Sequence, residues 1–128
     1  MNRDDQPGTS RVGAAAEAAG CRFLEARGLR LVERNFRCRS GEIDLVMRDG
    51  PDLVMVEVRY RARTDPVHPA QTITPAKRRR LLRAAAFYLQ RLKWDGDRGV
   101  RFDVLSISGP LTSPSCEWIR SAFTADDA

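Results

Sequence analysis

The 128-residue chain has few of the residues that build covalent staples or nitrogen- and sulfur-rich metal centres: three cysteines, Cys21, Cys38 and Cys116, and one histidine, His68. An odd number of cysteines with no C-x-x-C pair gives no basis for a disulfide framework or a structural zinc site, and the three read as reduced thiols. A lone histidine excludes metal sites made from several histidines, and His68 reads either as a general base or as a solvated loop residue. Long apolar runs are also missing. No stretch approaches the roughly 18 consecutive apolar residues of a membrane span, and the polar residues 1–8 lack the apolar core of a secretion signal, so a cytosolic location with no membrane partner is expected. With 42% hydrophobic and 30% charged residues, the chain suits one compact domain with a modest core. Its chemistry must come from carboxylates and cations.

Acid is scarce in one region. Between Arg59 and Lys93 there are ten basic residues and one acid, Asp65, a net charge of +9, whereas the remaining residues sum to −4. A contiguous, one-sided basic block suggests a polyanion, since each Lys or Arg that neutralises a phosphate releases a counterion. The competing reading is a solvated, arginine-rich helix face.

Hydrophobic spacing orders the elements. Residues 1–8 form a tail, and Thr9 or Ser10 caps a helix running to Arg27, with Val12, Ala16, Ala19, Phe23 and Ala26 at helical spacing and Gly28 as its stop. Glu17 shares a face of this helix with Gly13, Gly20 and Leu24, so another element can approach it closely. Leu29 to Phe36 reads as a strand near a sheet edge, followed by a basic turn from Arg37 to Gly41. Glu42 to Arg48 alternates Ile43, Leu45 and Met47 on one side with Glu42, Asp44 and Val46 on the other. Leu53 to Tyr60 is a valine-rich strand, and Asp49-Gly50-Pro51-Asp52 between the two signals a hairpin. A proline-broken loop from Arg61 to Ile73 leads to a helix opened by Thr74-Pro75, with a stripe of Leu81, Leu82, Ala85, Tyr88, Leu89 and Leu92. Lys77, Arg78, Arg79, Arg80 and Arg83 occupy its exposed side. Cations near a helix N-terminus oppose the dipole, which points to phosphate contact. A connector over 95–99, a strand from Val100 to Ser108 and a short strand over 116–119 complete an α/β order, with Ser121, Ala122 and Phe123 packing the C-terminus and residues 124–128 as a frayed tail.

A hairpin turning at Gly50-Pro51 pairs Arg48 with Leu53, Asp44 with Glu57 and Glu42 with Arg59 on one face. Opposed carboxylates about 5 Å apart repel by roughly 3 kcal/mol at an effective dielectric near 20. A divalent cation or a shared proton relieves this, and oxygen ligands suit Mg²⁺ or Mn²⁺; a shifted register or a longer loop would instead separate the acids. An acid pair with a cation nearby matches metal-assisted phosphodiester hydrolysis, in which the acids hold the ion and the cation stabilises charge developing on the phosphate.

From Arg11 to Phe123 the chain resembles the YraN family, small bacterial proteins expected to share the restriction-endonuclease-like fold of the PD-(D/E)xK nucleases and compared with archaeal Holliday-junction resolvases. The resemblance rests on residues 13–19 around Glu17, Arg34-Asn35-Phe36-Arg37, Gly41-Glu42-Ile43-Asp44-Leu45-Val46, Val56-Glu57-Val58-Arg59, Lys77, Arg101-Phe102-Asp103-Val104, and Trp118-Ile119 with Ala122-Phe123. It implies an αβββαβ core over residues 9–123 with a mixed central sheet flanked by helices. It also implies metal ligation by Asp44, Glu57 and Glu17, with Glu42 adjacent and Arg59 as the fourth catalytic position. The nuclease pattern expects lysine where Arg59 stands; arginine offers forked phosphate donors but does not readily lose a proton. Two functions therefore stand side by side: a Mg²⁺- or Mn²⁺-dependent endonuclease, and a catalytically inactive nucleic-acid-binding module on the same scaffold. A plain protein-interaction domain with solvated arginines is the third reading. Arg61, Arg63, Lys77, Arg78, Arg79, Arg80 and Arg83 are the expected contacts to nucleic acid, with DNA, branched DNA included, favoured over RNA. Junction resolution would require two sites and hence a homodimer.

Overall fold

The computed structural model describes residues 11–61, 73–93 and 99–124. The expectations for the N-terminal tail and its cap, Arg63, Asp65, His68, the loop prolines, the 95–98 connector and the last four residues lie outside them. The element order is α1 (Arg11–Glu25), β1 (Arg30–Cys38), β2 (Gly41–Asp49), β3 (Asp52–Tyr60), α2 (Pro75–Leu92), β4 (Val100–Ser108) and β5 (Ser115–Phe123). This is the expected αβββαβ order with one further full strand. The strands form one mixed sheet in the order β1-β2-β3-β4-β5. β3 and β4 are parallel and the other neighbours antiparallel. A parallel pair needs a long crossover, and α2 lies in it.

Each face of the sheet carries its own apolar cluster. Leu81, Ala84, Ala85 and Tyr88 of α2 pack with Phe36, Val46, Leu53, Met55, Phe102 and Val104. Ala16, Cys21 and Leu24 of α1 pack with Leu45, Met47, Val54, Val56, Leu105 and Ile107 on the other. The predicted stripe of α2 is shifted: Ala84 is buried, whereas Leu92 at the C-terminal end is 43% exposed. In α1 the buried face turns toward its small residues, Ala16, Ala19 and Gly20, with Leu24. Phe23 is half-buried beneath the Arg27 guanidinium, 3.6 Å from the ring centre, and Ala26 lies exposed beyond the helix. A Cβ on Gly20 would come within 2.9 Å of Leu105 Cδ2, so glycine lets α1 settle on β4.

β5 is one nine-residue strand, longer than the predicted four. It bends where Ser121 adopts φ 51° and the register with β4 shifts between Phe102 and Val104. Buried Asp103 secures the bend by accepting from Ser121 N–H (2.9 Å), Trp118 Nε1–H (2.9 Å) and Arg101 Nε–H (3.1 Å). Among the described residues no helix is long and apolar enough to cross a membrane.

Candidate functional site

The hairpin register follows the sequence expectation from Asp49↔Asp52 to Leu45↔Val56. One step further the strands part. The N–H of Val58 donates to Asp44 Oδ2 at 2.8 Å, so the Asp44 side chain takes the place of a backbone ladder partner. On the other side of β2 the register runs from Arg34↔Leu45 to Phe36↔Ile43, stepping past Asn35 and Asp44. Strict alternation in β2 therefore breaks at Asp44. Ile43, predicted to share a side with Leu45 and Met47, joins the cluster beneath α2, whereas Leu45 and Met47 face α1. The predicted direct pairings of Asp44 with Glu57 and of Glu42 with Arg59 both give way at this parting, because the acid at position 44 turns into the gap between strands.

A cavity of about 590 Å³ opens at this point, lined by Glu17 of α1, Glu42 and Asp44 of β2, Glu57 and Arg59 of β3, and Lys77 and Arg80 of α2, among others. Glu17, Asp44 and Glu57 are only 4, 7 and 4% exposed. The structure thus brings together all four residues predicted to be catalytic. Asp44 lies close enough to Glu57 and Glu17 for both carboxylates to act on its ionisation. Burial, the Glu57 charge and, more weakly, Glu17 raise the Asp44 pKa well above the usual range, although the Val58 N–H opposes them. Burial likewise raises Glu17, against hydrogen bonding from Asn35 and the charge of Arg34, and it raises Glu42.

Lys77 departs from its predicted place. Its Nζ lies 2.6 Å from Glu57 Oε2, closer than Arg59 Nη1 at 3.9 Å. Thr74 fixes the start of α2, its Oγ1 accepting from Lys77 N–H at 3.1 Å. Gly41 lets α2 approach: a Cβ there would sit 2.7 Å from the Arg80 carbonyl oxygen. The cation near the helix N-terminus is explained by the Glu57 carboxylate. Arg78 also leaves the predicted exposed row, being half-buried with Nη1 donating to Ile73 O at 3.1 Å. Arg79, Arg80 and Arg83 remain exposed, and Arg61 is half-buried at the end of β3.

Asn35 was not singled out by the sequence reading as a site residue. It holds φ 54° inside β1 and its side chain is hydrogen-bonded to Glu17. A left-handed conformation costs a non-glycine residue about 1–2 kcal/mol, and asparagine tolerates it better than most. An asparagine within an otherwise apolar and charged strand run was the available signal.

The donor set fits a hard divalent cation. Glu17 Oε1 is buried with no hydrogen-bond partner. Three buried carboxyls line the same cavity, and oxygen donors of this kind suit a hard cation. Among the described residues no three acidic, histidine or cysteine groups form a ready-made ligand cage.

The model of the uncharacterised protein family UPF0102 matches residues 16–107, a span that holds Glu17, Asn35, Glu42, Asp44, Glu57, Arg59 and Lys77. A UPF0102 protein of Nitrosococcus oceani is 44% identical over 122 residues, covering 94% of this chain and 98% of its own length. Those of Chromohalobacter salexigens and Dechloromonas aromatica are 48% identical (90% of this chain, 92% of the relative) and 50% identical (93% of each). The motif resemblance and these full-length matches agree: the chain belongs to the UPF0102 family, the YraN family of its sequence motifs.

Proposed function

We propose that this protein is a nuclease that binds nucleic acid, DNA in preference to RNA, and hydrolyses phosphodiester bonds with the help of Mg²⁺ or Mn²⁺. The observation that carries this reading is the convergence of three buried carboxylates, Glu17, Asp44 and Glu57, on one cavity that also holds Lys77 and Arg59. Asp44 and Glu17 would hold the cation with Glu57 beside them. The ion supplies Lewis-acid polarisation of the phosphoryl oxygen and a lowered pKa for a bound water. Lys77 provides the ammonium that the nuclease pattern places at position 59, delivered from α2 rather than from the strand. Its compact charge sits where it can neutralise a phosphate oxygen, while Arg59 offers forked donors at the rim. Both helices direct their N-terminal halves, through Gly13 and Lys77, at the cavity, so their dipoles favour an anion there. Arg79, Arg80 and Arg83 extend the positive surface along α2.

A second reading, a binding module without turnover, draws on one specific observation. Lys77 and Arg59 both lie against Glu57 Oε2, which leaves that carboxylate already compensated.

The test is cleavage of labelled single-stranded, duplex and four-way-junction DNA, with an RNA control, in Mg²⁺ or Mn²⁺ against EDTA. Wild type should cut only with the divalent ion. Lys77→Ala should lose about 10²–10³-fold, the usual effect of removing one transition-state charge stabiliser. Asp44→Asn, which can still accept from Val58 N–H, should lose at least about 100-fold. Binding without cutting, unchanged in Asp44→Asn, would decide for the binding module.

A further inference from the structure

Asn35 combines three features that a purely structural strand residue does not need. Its backbone is left-handed at φ 54° in the middle of β1. The β1–β2 register steps past it and past Asp44 together. Its side chain is hydrogen-bonded to Glu17 while Oδ1 is buried with no partner. An ordinary strand residue at this place would keep the ladder continuous with unstrained dihedrals. Strained backbone persists where surrounding structure over-determines it, and such residues cluster at functional sites.

We infer that Asn35 is a positioning residue of the cation site, its amide N–H holding Glu17 so that the unpartnered Oε1 of Glu17 is presented to the ion. This inference rests on the cation reading given above. The geometry explains why the left-handed residue is asparagine. Glycine would take φ 54° at no Cβ penalty but has no side chain to reach Glu17. Aspartate tolerates the same backbone but would set a second acceptor against a buried carboxylate. The short asparagine amide supplies both the tolerance and the N–H donor. Glu17 is carried on α1, outside the β2–β3 hairpin that bears Asp44 and Glu57, so its carboxylate needs a tether from the sheet. Asn35 is that tether, on the strand next to Asp44.

The test uses the full chain and two substitutions that fold differently but remove the same amide. Mn²⁺ affinity is measured by titration calorimetry and thermal stability on the same samples, with Asp44→Asn as the benchmark for a lost ligand. Outer-shell partners of metal ligands typically contribute 10–100-fold in affinity, so Asn35→Gly and Asn35→Ala should each bind Mn²⁺ about 10-fold or more weakly than wild type. Asn35→Gly should melt above Asn35→Ala, because only glycine accepts the left-handed backbone freely. Equal affinity loss despite unequal stability separates the amide's role at the ion from its role in the fold. Wild-type Mn²⁺ affinity in Asn35→Gly, with affinity lost in Asp44→Asn, would overturn the inference and leave the cation site standing. Wild type binding Mn²⁺ no better than Asp44→Asn would overturn the cation reading itself, and this inference with it.

Discussion

Asp44 is the residue on which the two halves of the site meet, and its carboxyl is held at a cost to the fold. Burial first, and the Glu57 charge second, raise its native pKa above that of the unfolded chain. A carboxyl with a raised native pKa binds more protons folded than unfolded, so its contribution to stability falls as pH rises from about 4, the unfolded value, through the native one. Asp44→Asn keeps an acceptor for Val58 N–H and removes the charge. It should therefore melt above wild type at pH 7, with the difference shrinking toward pH 4; a difference that grows on acidification would contradict this. Mn²⁺ should raise the wild-type melting temperature at pH 7 and leave that of Asp44→Asn unchanged. Much of this was legible at the residue level. The Gly50-Pro51 turn sets the hairpin register as far as Leu45 and Val56, one step short of the predicted Asp44–Glu57 pair, and helical spacing brings Glu17 among small neighbours. The left-handed Asn35 and the place of Lys77 on Glu57 were not legible as such, because each depends on how separate elements meet in space. Asp103 carries no sequence signal that distinguishes it from a site acid; only its three donors show that it secures β5.

At the scale of elements, the site depends on how closely α2 approaches the β2–β3 hairpin. Gly41 permits that approach, and the atom a Cβ would strike is the Arg80 carbonyl oxygen, part of a helix backbone that cannot yield as a side chain tip can. Gly41→Ala should destabilise by about 1–3 kcal/mol, the usual range for overpacking, read as a lower urea midpoint with an unchanged slope. It should also reduce cleavage by displacing Lys77 from Glu57. Thr74→Ala removes the N-cap and should lower stability by about 1 kcal/mol. Cap and proline at Thr74-Pro75 made the start of α2 readable from sequence, and period-two patterning did the same for β2, β3 and β4. The length of β5 was not readable, because its left-handed Ser121 and exposed Glu117, Arg120 and Ser121 break the apolar alternation that marks a half-buried strand.

At the scale of the whole molecule, the charge asymmetry and the site belong to one surface. The acids lie buried in the cavity, while Arg79, Arg80 and Arg83 lie exposed on the helix that also delivers Lys77. If these three arginines each contact one phosphate of duplex DNA, log–log salt dependence of binding should have a slope near −3, and the triple alanine variant should flatten it. A slope that stays the same in that variant would move the nucleic-acid surface elsewhere. The central claim is that elements distant in sequence, α1, β2 and β3, converge their carboxylates to hold a divalent cation. The most direct measurement is anomalous diffraction from crystals of the full chain grown with Mn²⁺. The account predicts an anomalous peak at coordination distance from Asp44 and Glu17, beside Glu57, that disappears in Asp44→Asn. Crystals containing Mn²⁺ at other sites, with none among these three carboxylates, would contradict it.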